Sequence, residues 1–321
     1  MTTIHFHTAI PALLRFERRA IAAALNLLED RRPSRQADAL TLLDEVSTLP
    51  SLAHIVGITG PPGVGKSSLI SRLIEVAMQA GKRLAVVAVD PSSKVSGGAL
   101  LGDRGRMNIP AGTPVYIRSF AARDRLGGLS REAFAAVFLL RHVCDVLLVE
   151  TVGVGQSETD IAHIADTVVM VIQPFSGDVL QFIKAGVMEI PDVLAINKAD
   201  DEALARRAMA DVKAALSYER HTWSRPVLAV SAATNLHLDK LDAAITAHHH
   251  YLQTTGALKP ARVERTLAWA TSEILHEVGR RGLAALHGAD GLRALWTQQP
   301  AHWSELHRLT AILETLRWQS Q

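Results

Sequence analysis

Hydrophobic and polar positions follow two different periods along this chain, and the changes of period divide it into three parts. From about Ala20 to Leu49 apolar residues recur at three- and four-residue steps (Ile21, Ala24, Leu25, Leu28; then Leu40, Leu42, Leu43, Val46), interrupted by Arg31-Arg32-Pro33, which is the pattern of a helical hairpin. Between about His54 and Ser231 short β-rich runs alternate with helical patterns, and Ile55–Ile58, Leu84–Val89, Val146–Val149, Val168–Ile172, Val193–Ile196 and Val227–Val230 read as strands. That alternation predicts an α/β fold with a doubly wound, mainly parallel sheet. Beyond about Leu236 only helical periodicity remains, through Ile245, Leu252, Leu267 and Ile274 to Leu313 and Leu316. The expected organisation is an N-terminal helical extension over 1–50, an α/β domain over 51–256 and a C-terminal helical arm over 257–321.

Composition narrows the partners. At 321 residues and 48% hydrophobic side chains the chain can bury a substantial core, and disorder is excluded. The balance of 34 Lys+Arg against 32 Asp+Glu gives no basic field, so nucleic acid is not an expected partner. No apolar run approaches the roughly 20 residues that span a bilayer, so a membrane is not expected either. The single cysteine, Cys144, fits a reducing compartment and is expected in a core strand. The opening segment contains arginines but lacks the apolar core and cleavage site of a signal peptide; a cytoplasmic protein is expected, with organelle import as the alternative.

The chemistry begins at Gly60-Pro61-Pro62-Gly63-Val64-Gly65-Lys66-Ser67-Ser68, which fits G-x-x-x-x-G-K-[ST] between an apolar strand and an amphipathic helix. In such a loop successive N–H groups point at phosphates and the following helix presents its positive end. Lys66 is expected to reach the β- and γ-phosphates, and the Ser67 hydroxyl to ligate Mg²⁺. The phosphate loop does not distinguish ATP from GTP. Asn197-Lys198-Ala199-Asp200 fits N-K-x-D at a strand end: Asp200 can accept from the ring N–H and amine of guanine, Asn197 can bond the base edge, and the Lys198 stem can lie over the ring. Ser231-Ala232-Ala233 follows at the end of another strand, so the expected nucleotide is GTP or GDP.

Two further strands end in carboxylates. The run closing at Glu150 leads into a loop with Gly153 and Gln156, where Glu150 is expected to hold Mg²⁺ and Gly153 to offer its N–H to the γ-phosphate; Gln156 could orient water. The run closing at Asp90 leads into a Gly-rich stretch containing Asp103, and both aspartates are candidates for supporting Mg²⁺ or acting at the γ-phosphate.

Asp90-Pro-Ser-Ser, Ser96-Gly-Gly-Ala-Leu-Leu-Gly-Asp-Arg104 with Met107, Glu150-Thr-Val-Gly-Val-Gly-Gln-Ser-Glu158, Gln181–Ile190 and Asn197–Asp200 together resemble the MeaB/ArgK-type GTPases. These are the G-protein chaperones of adenosylcobalamin-dependent acyl-CoA mutases, related to human methylmalonic aciduria type A protein. The resemblance spans about Ala20 to Leu252. It implies a homodimeric P-loop GTPase of the signal-recognition-particle/MinD-like class whose nucleotide state gates cofactor loading and protects the mutase. It also implies hydrolytic and magnesium roles for Lys66, Asp90, Asp103 and Glu150, and guanine contacts for Asn197, Lys198, Asp200 and Ser231–Ala233. No cobalamin site is expected in this chain itself.

Two stretches depart from the family pattern: Pro174-Phe175-Ser176-Gly177-Asp178 and the tail after about Lys259. The tail holds four of the five tryptophans (Trp269, Trp296, Trp303, Trp318), which suit either an interface or an internal core. His248-His249-His250 raises the alternative of a metallochaperone, although such a run on a helix points in several directions and is expected on a solvated face. A kinase of a transport-binding protein, an older reading attached to the ArgK name, is the other alternative; no separate acceptor site is visible in the sequence.

Overall fold

The computed structural model describes residues 6–90, 112–121, 129–151, 157–174, 189–216 and 222–319. The chain forms two compact units, one made of His54–Ala133 and Asp145–Leu258, the other of Met1–Ala53, Phe134–Cys144 and Lys259–Gln321.

The first unit is a seven-stranded parallel sheet. Its strands are β1 (His54–Thr59), β2 (Leu84–Asp90), β3 (Val115–Ala121), β4 (Val146–Glu150), β5 (Thr167–Ile172), β6 (Val193–Ile196) and β7 (Val227–Ala229), in the order β3-β2-β4-β1-β5-β6-β7. A parallel sheet covered on both faces needs strands that are apolar throughout. Residues of β1, β5 and β6 are accordingly buried at every position.

One face carries α4 (Lys66–Gln79) and α8 (Leu238–Thr254): Leu69, Ile70, Leu73, Leu241 and Ile245 pack with Val56, Ile58, Val169 and Val171. The other face carries α7 (Glu202–Leu216), whose Ala208 and Val212 meet Met170, Ile172, Leu194 and Ile196. It also carries α6 (Ser157–Ala162), against which Gly57 has no room for a side chain: an added Cβ would lie 2.5 Å from Ile161 Cγ1.

Six of the strands are those expected from periodicity; β3 is the addition. Arg118 and Ser119 interrupt its apolar run, and as an edge strand it is only half buried. Cys144 is buried, as expected, but lies before β4 and not within a strand, with its thiol donating to the Leu140 carbonyl at 3.1 Å.

The histidine run on α8 diverges. His248 is buried, with Nδ1 bonded to Thr167 Oγ1 at 2.9 Å and Nε2 3.3 Å from Asp192 Oδ1. His249 stacks on His54 with ring centroids 4.1 Å apart, and only His250 is exposed. The solvated face expected for the run therefore applies to one of its three members. The contacts of His248 and His249 lie at the starts of β1 and β5, the sheet edge opposite the phosphate loop.

The second unit is helical. It contains α1 (Phe6–Leu14), α2 (Arg18–Glu29), α3 (Pro33–Ser47), most of α5 (Arg131–Leu140), α9 (Leu258–Ala285), α10 (Gly288–Gln298) and α11 (Glu305–Gln319). The helices read from the sequence as an extension and an arm thus share one unit. Its centre is Trp269, fully buried between Phe134 and Phe138 at centroid distances of 5.0 and 5.1 Å. Trp296 is buried too, and Trp303 stacks on His307 at 3.9 Å. Trp269 and Trp296 are therefore core residues of this unit, and the side chain of Trp318 lies outside the described residues.

Asp44 on α3 binds the start of α11, accepting from the Ser304 N–H and hydroxyl at 2.7 and 2.8 Å and from His307 Nδ1 at 2.6 Å. Nearby in the same unit, Arg141 pairs with Glu305 and its Nε donates to His142 Nε2, while His142 Nδ1 donates to the Leu49 carbonyl at 2.9 Å. With one ring nitrogen accepting and the other donating, His142 is held as the neutral imidazole. Burial, then the Arg141 charge, push its pKa down to about 4.

The unfolded imidazole takes up its proton near pH 6.5. A group whose folded pKa is depressed contributes stability above the unfolded value and loses it as pH falls toward the folded one. Folding stability should therefore drop by up to about 3 kcal/mol as pH falls from about 6.5 to about 4. Burial works to raise the Glu305 carboxyl, but Arg141 overcomes it and the net shift is downward, so the acid loss from Glu305 begins only at the lower end of the histidine window and continues beneath it. Urea denaturation across this range should show a flatter profile between pH 6.5 and 4.5 for His142→Gln than for the wild type.

Candidate functional site

β1 occupies the centre of the sheet between β4 and β5, and the loop that leaves its C-terminal end is rich in glycine. In open parallel sheets ligands bind at this edge. Gly60 has φ 138°, and a Cβ there would lie 2.0 Å from the Val171 carbonyl oxygen of β5, so no other residue fits. The loop ends at Gly65, which caps α4 in the left-handed region at φ 91°. Lys66 opens the helix; its buried ammonium donates to the carbonyls of Gly60 at 2.8 Å and Pro61 at 3.0 Å. Val64 is buried, whereas Pro62, Gly63 and Ser68 are exposed.

Ser67, the next residue of α4, donates to Glu150 Oε1 at 2.9 Å. Glu150 closes β4, registers with Ile58 of β1 and Ala88 of β2, and is buried. A hydroxyl and a carboxylate held together beside a phosphate loop form an oxygen-donor set suited to a hard divalent cation. Thr59, which closes β1, and Thr151, which follows β4, share a buried hydroxyl–hydroxyl bond of 3.0 Å that joins the two strand ends. Asp90 closes β2 at the same edge. Asp103, Gly153 and Gln156 lie outside the described residues, as do Phe175–Asp178.

The second half of the site lies at the ends of β6 and β7. Asn197 is buried and faces two ways: its Nδ2 donates to the Val64 carbonyl at 2.8 Å, and its Oδ1 accepts from the Ala232 N–H at 3.1 Å. Lys198, at φ 59°, sends its ammonium back to the Gly63 carbonyl at 2.7 Å and to Gln173 Oε1 at 2.8 Å. Asp200 is exposed, and its Oδ1 accepts from the hydroxyls of Ser231 at 2.8 Å and Thr234 at 3.3 Å. These bonds fix the plane of the carboxylate. The 231–236 turn is closed by a pair of backbone bonds between Ser231 and Leu236, and Arg72 of α4 donates to the Ala232 carbonyl at 3.1 Å. Ala233 is exposed on this turn.

The phosphate loop and the N-K-x-D strand end, 131 residues apart from Lys66 to Asn197, are thus brought together by direct hydrogen bonds. Gln173, Thr234 and Arg72 join the site without having been expected. None belongs to a phosphate- or base-reading motif, and the only signal for Gln173 is a polar residue directly after an apolar strand.

Residues 21–286 match the model of a family described as methylmalonyl-CoA mutase-associated GTPase MeaB. The chain belongs to this family. A curated GTPase of Pyrococcus horikoshii is 42% identical over 263 residues, covering 80% of this chain and 81% of its own. A mitochondrial methylmalonic aciduria type A homolog of Caenorhabditis briggsae is 33% identical over 287 residues, covering 83% of this chain and 69% of its own. A solved structure described as an LAO/AO transport system kinase superposes with a TM-score of 0.72 at 27% identity, covering 99% of both chains. This MeaB-family chain is a P-loop GTPase that binds guanine nucleotide and hydrolyses GTP to GDP and phosphate. Among the described residues no helix is long and apolar enough to cross a membrane.

The glycines of the loop make distinct predictions. At Gly65 an added Cβ would lie 2.5 Å from Asn197 Nδ2, whereas at Gly63, φ 78°, it would meet nothing within 4 Å. Gly63→Ala should lose only the roughly 1–2 kcal/mol of a left-handed residue. Gly65→Ala should lose that and also displace Asn197, lowering the thermal midpoint of the nucleotide-free protein further and weakening GDP in a direct titration. Equal midpoints for the two variants would show that the Asn197 contact contributes nothing.

Proposed function

We propose that this GTPase is a Mg²⁺-dependent chaperone of an adenosylcobalamin-dependent acyl-CoA mutase, acting as a cytoplasmic homodimer that gates cofactor loading and protects the mutase. The observation that carries the nucleotide part is the clasp between the phosphate loop and the base-reading strand end, Asn197 to Val64 and Lys198 to Gly63. The family description and the name of the C. briggsae relative support the partner class.

In this reading Lys66 exchanges its contacts with Gly60 and Pro61 for the β- and γ-phosphate oxygens, and the N–H groups of Gly63, Val64, Gly65, Lys66 and Ser67 line the phosphates. Ser67 and Glu150 hold Mg²⁺, with Asp90 and Asp103 as the further carboxylates expected there. Bound at that position, the ion neutralises charge on the transferring phosphoryl group. Asp200 accepts from the ring N–H and amine of guanine, held in orientation by Ser231 and Thr234. Adenine presents an unprotonated ring nitrogen at that position, which a carboxylate repels. Gly153 is the residue expected to offer its N–H to the γ-phosphate.

Lys66→Ala should lower GTP turnover by about 100-fold or more, the usual scale for removing a charge-stabilising donor. Asp200→Asn should reduce the preference for GTP over ATP. Adding the cognate mutase should raise wild-type turnover, measured as phosphate release. If calorimetry and pull-down detect no association with an adenosylcobalamin-dependent acyl-CoA mutase, the partner assignment fails while the GTPase site stands.

A further inference from the structure

We propose that Gln173 is a positioning residue for guanine recognition, tethering the Lys198 ammonium so that the Lys198 stem is already laid out when the purine arrives. The inference rests on the guanine-site reading above and extends it to a residue outside both nucleotide motifs.

The placement follows from the sheet. β5 and β6 register at Ile172 and Ile196, and the Asn197 N–H donates to the Ile172 carbonyl at 2.8 Å, so the residues after each strand lie side by side. Gln173 is thereby set beside Lys198. An ammonium offers only donors, so the amide presents its oxygen, and Oε1 accepts at 2.8 Å. The Gly63 carbonyl accepts from the same nitrogen at 2.7 Å. The two acceptors come from different elements, the end of β5 and the phosphate loop, and together they fix where the ammonium sits.

The exposure of Lys198 makes this tether consequential. A lysine stem in solvent samples many rotamers, and a base stacking on it must immobilise them at the moment of binding. A stem anchored in advance meets that cost on folding, which is how pre-organisation raises affinity. The chemistry of the anchor also fits its place. A carboxylate would grip the ammonium more firmly, but it would bring a negative charge beside a polyphosphate, whereas an amide oxygen accepts without adding charge.

The test is a double-mutant cycle on the full chain, reading the release rate of a fluorescent GDP. Gln173→Met, close in size but unable to anchor the ammonium strongly, should release GDP about fivefold faster, the scale of one net hydrogen bond. In a Lys198→Met background the same change should have no further effect. Gln173→Ala, run through the same cycle, reads the missing acceptor without the bulk of the thioether. Wild-type release by both Gln173 variants, or an equal acceleration with and without Lys198, overturns the proposal.

Asp200→Asn measured alongside separates this inference from the reading beneath it. If Asp200→Asn leaves the preference for GDP over ADP intact, the guanine-site reading fails and takes the inference with it. If that preference collapses while Gln173→Met and Gln173→Ala are silent, only the role of Gln173 falls.

Discussion

The site depends on one buried amide. Asn197, 2% exposed, donates to the phosphate loop at Val64 and accepts from the base loop at Ala232, so one buried side chain bonds both halves of the nucleotide site. A buried amide with all its contacts met holds its partners in register; one with a partner missing carries the full desolvation cost. The adjoining glycine follows from this, because Gly65 passes so close to Asn197 Nδ2 that no Cβ fits. Backbone permissiveness at one end and side-chain satisfaction at the other are two aspects of the same contact.

The sheet is what makes that contact possible. Parallel strands deliver their C-terminal ends to one edge, and here the ends of β1, β4, β5, β6 and β7 each contribute: the phosphate loop, Glu150, Gln173, Asn197 to Asp200, and Ser231. At the opposite edge the described residues include the His54–Thr167–His248–Asp192 chain of polar contacts. Both ring nitrogens of His248 are engaged with groups of its own unit, and among the described residues no group of three or more His, Cys, Asp or Glu is arranged to hold a metal ion.

Much of this was legible in the residues because the motifs are local. A phosphate loop is one strand, one loop and one helix turn, and its glycine spacing states its geometry directly. Six strands were equally legible, since burial on both faces leaves an unbroken apolar run; β3 escaped because an edge strand can carry Arg118 and Ser119. The unread parts are the non-local ones. Arg72 to Ala232 spans 160 positions and Lys198 to Gln173 spans 25, and no periodicity encodes which polar side chain a sheet will bring to another. The tryptophans were ambiguous for the same reason: Trp269 is a core residue only because Phe134 and Phe138, from a helix far earlier in the chain, close over it.

The Ser67–Glu150 bond bears on how the metal half of the site could work. A serine hydroxyl has one proton and two lone pairs, so Ser67 can donate to Glu150 and still offer an oxygen lone pair to a cation. Glu150 need not surrender this bond to serve a metal: either its other oxygen ligates the ion, or the carboxylate acts by aiming the Ser67 lone pair. A glutamate at this strand end reaches one methylene further than an aspartate would, which suits a side chain that must span from β4 to the first turn of α4. The base end, by contrast, is tied to the phosphate loop through Asn197 and Lys198. In the proposed reading the Glu150 side of the site meets Mg²⁺ and the γ-phosphate, and Asp200 selects the base.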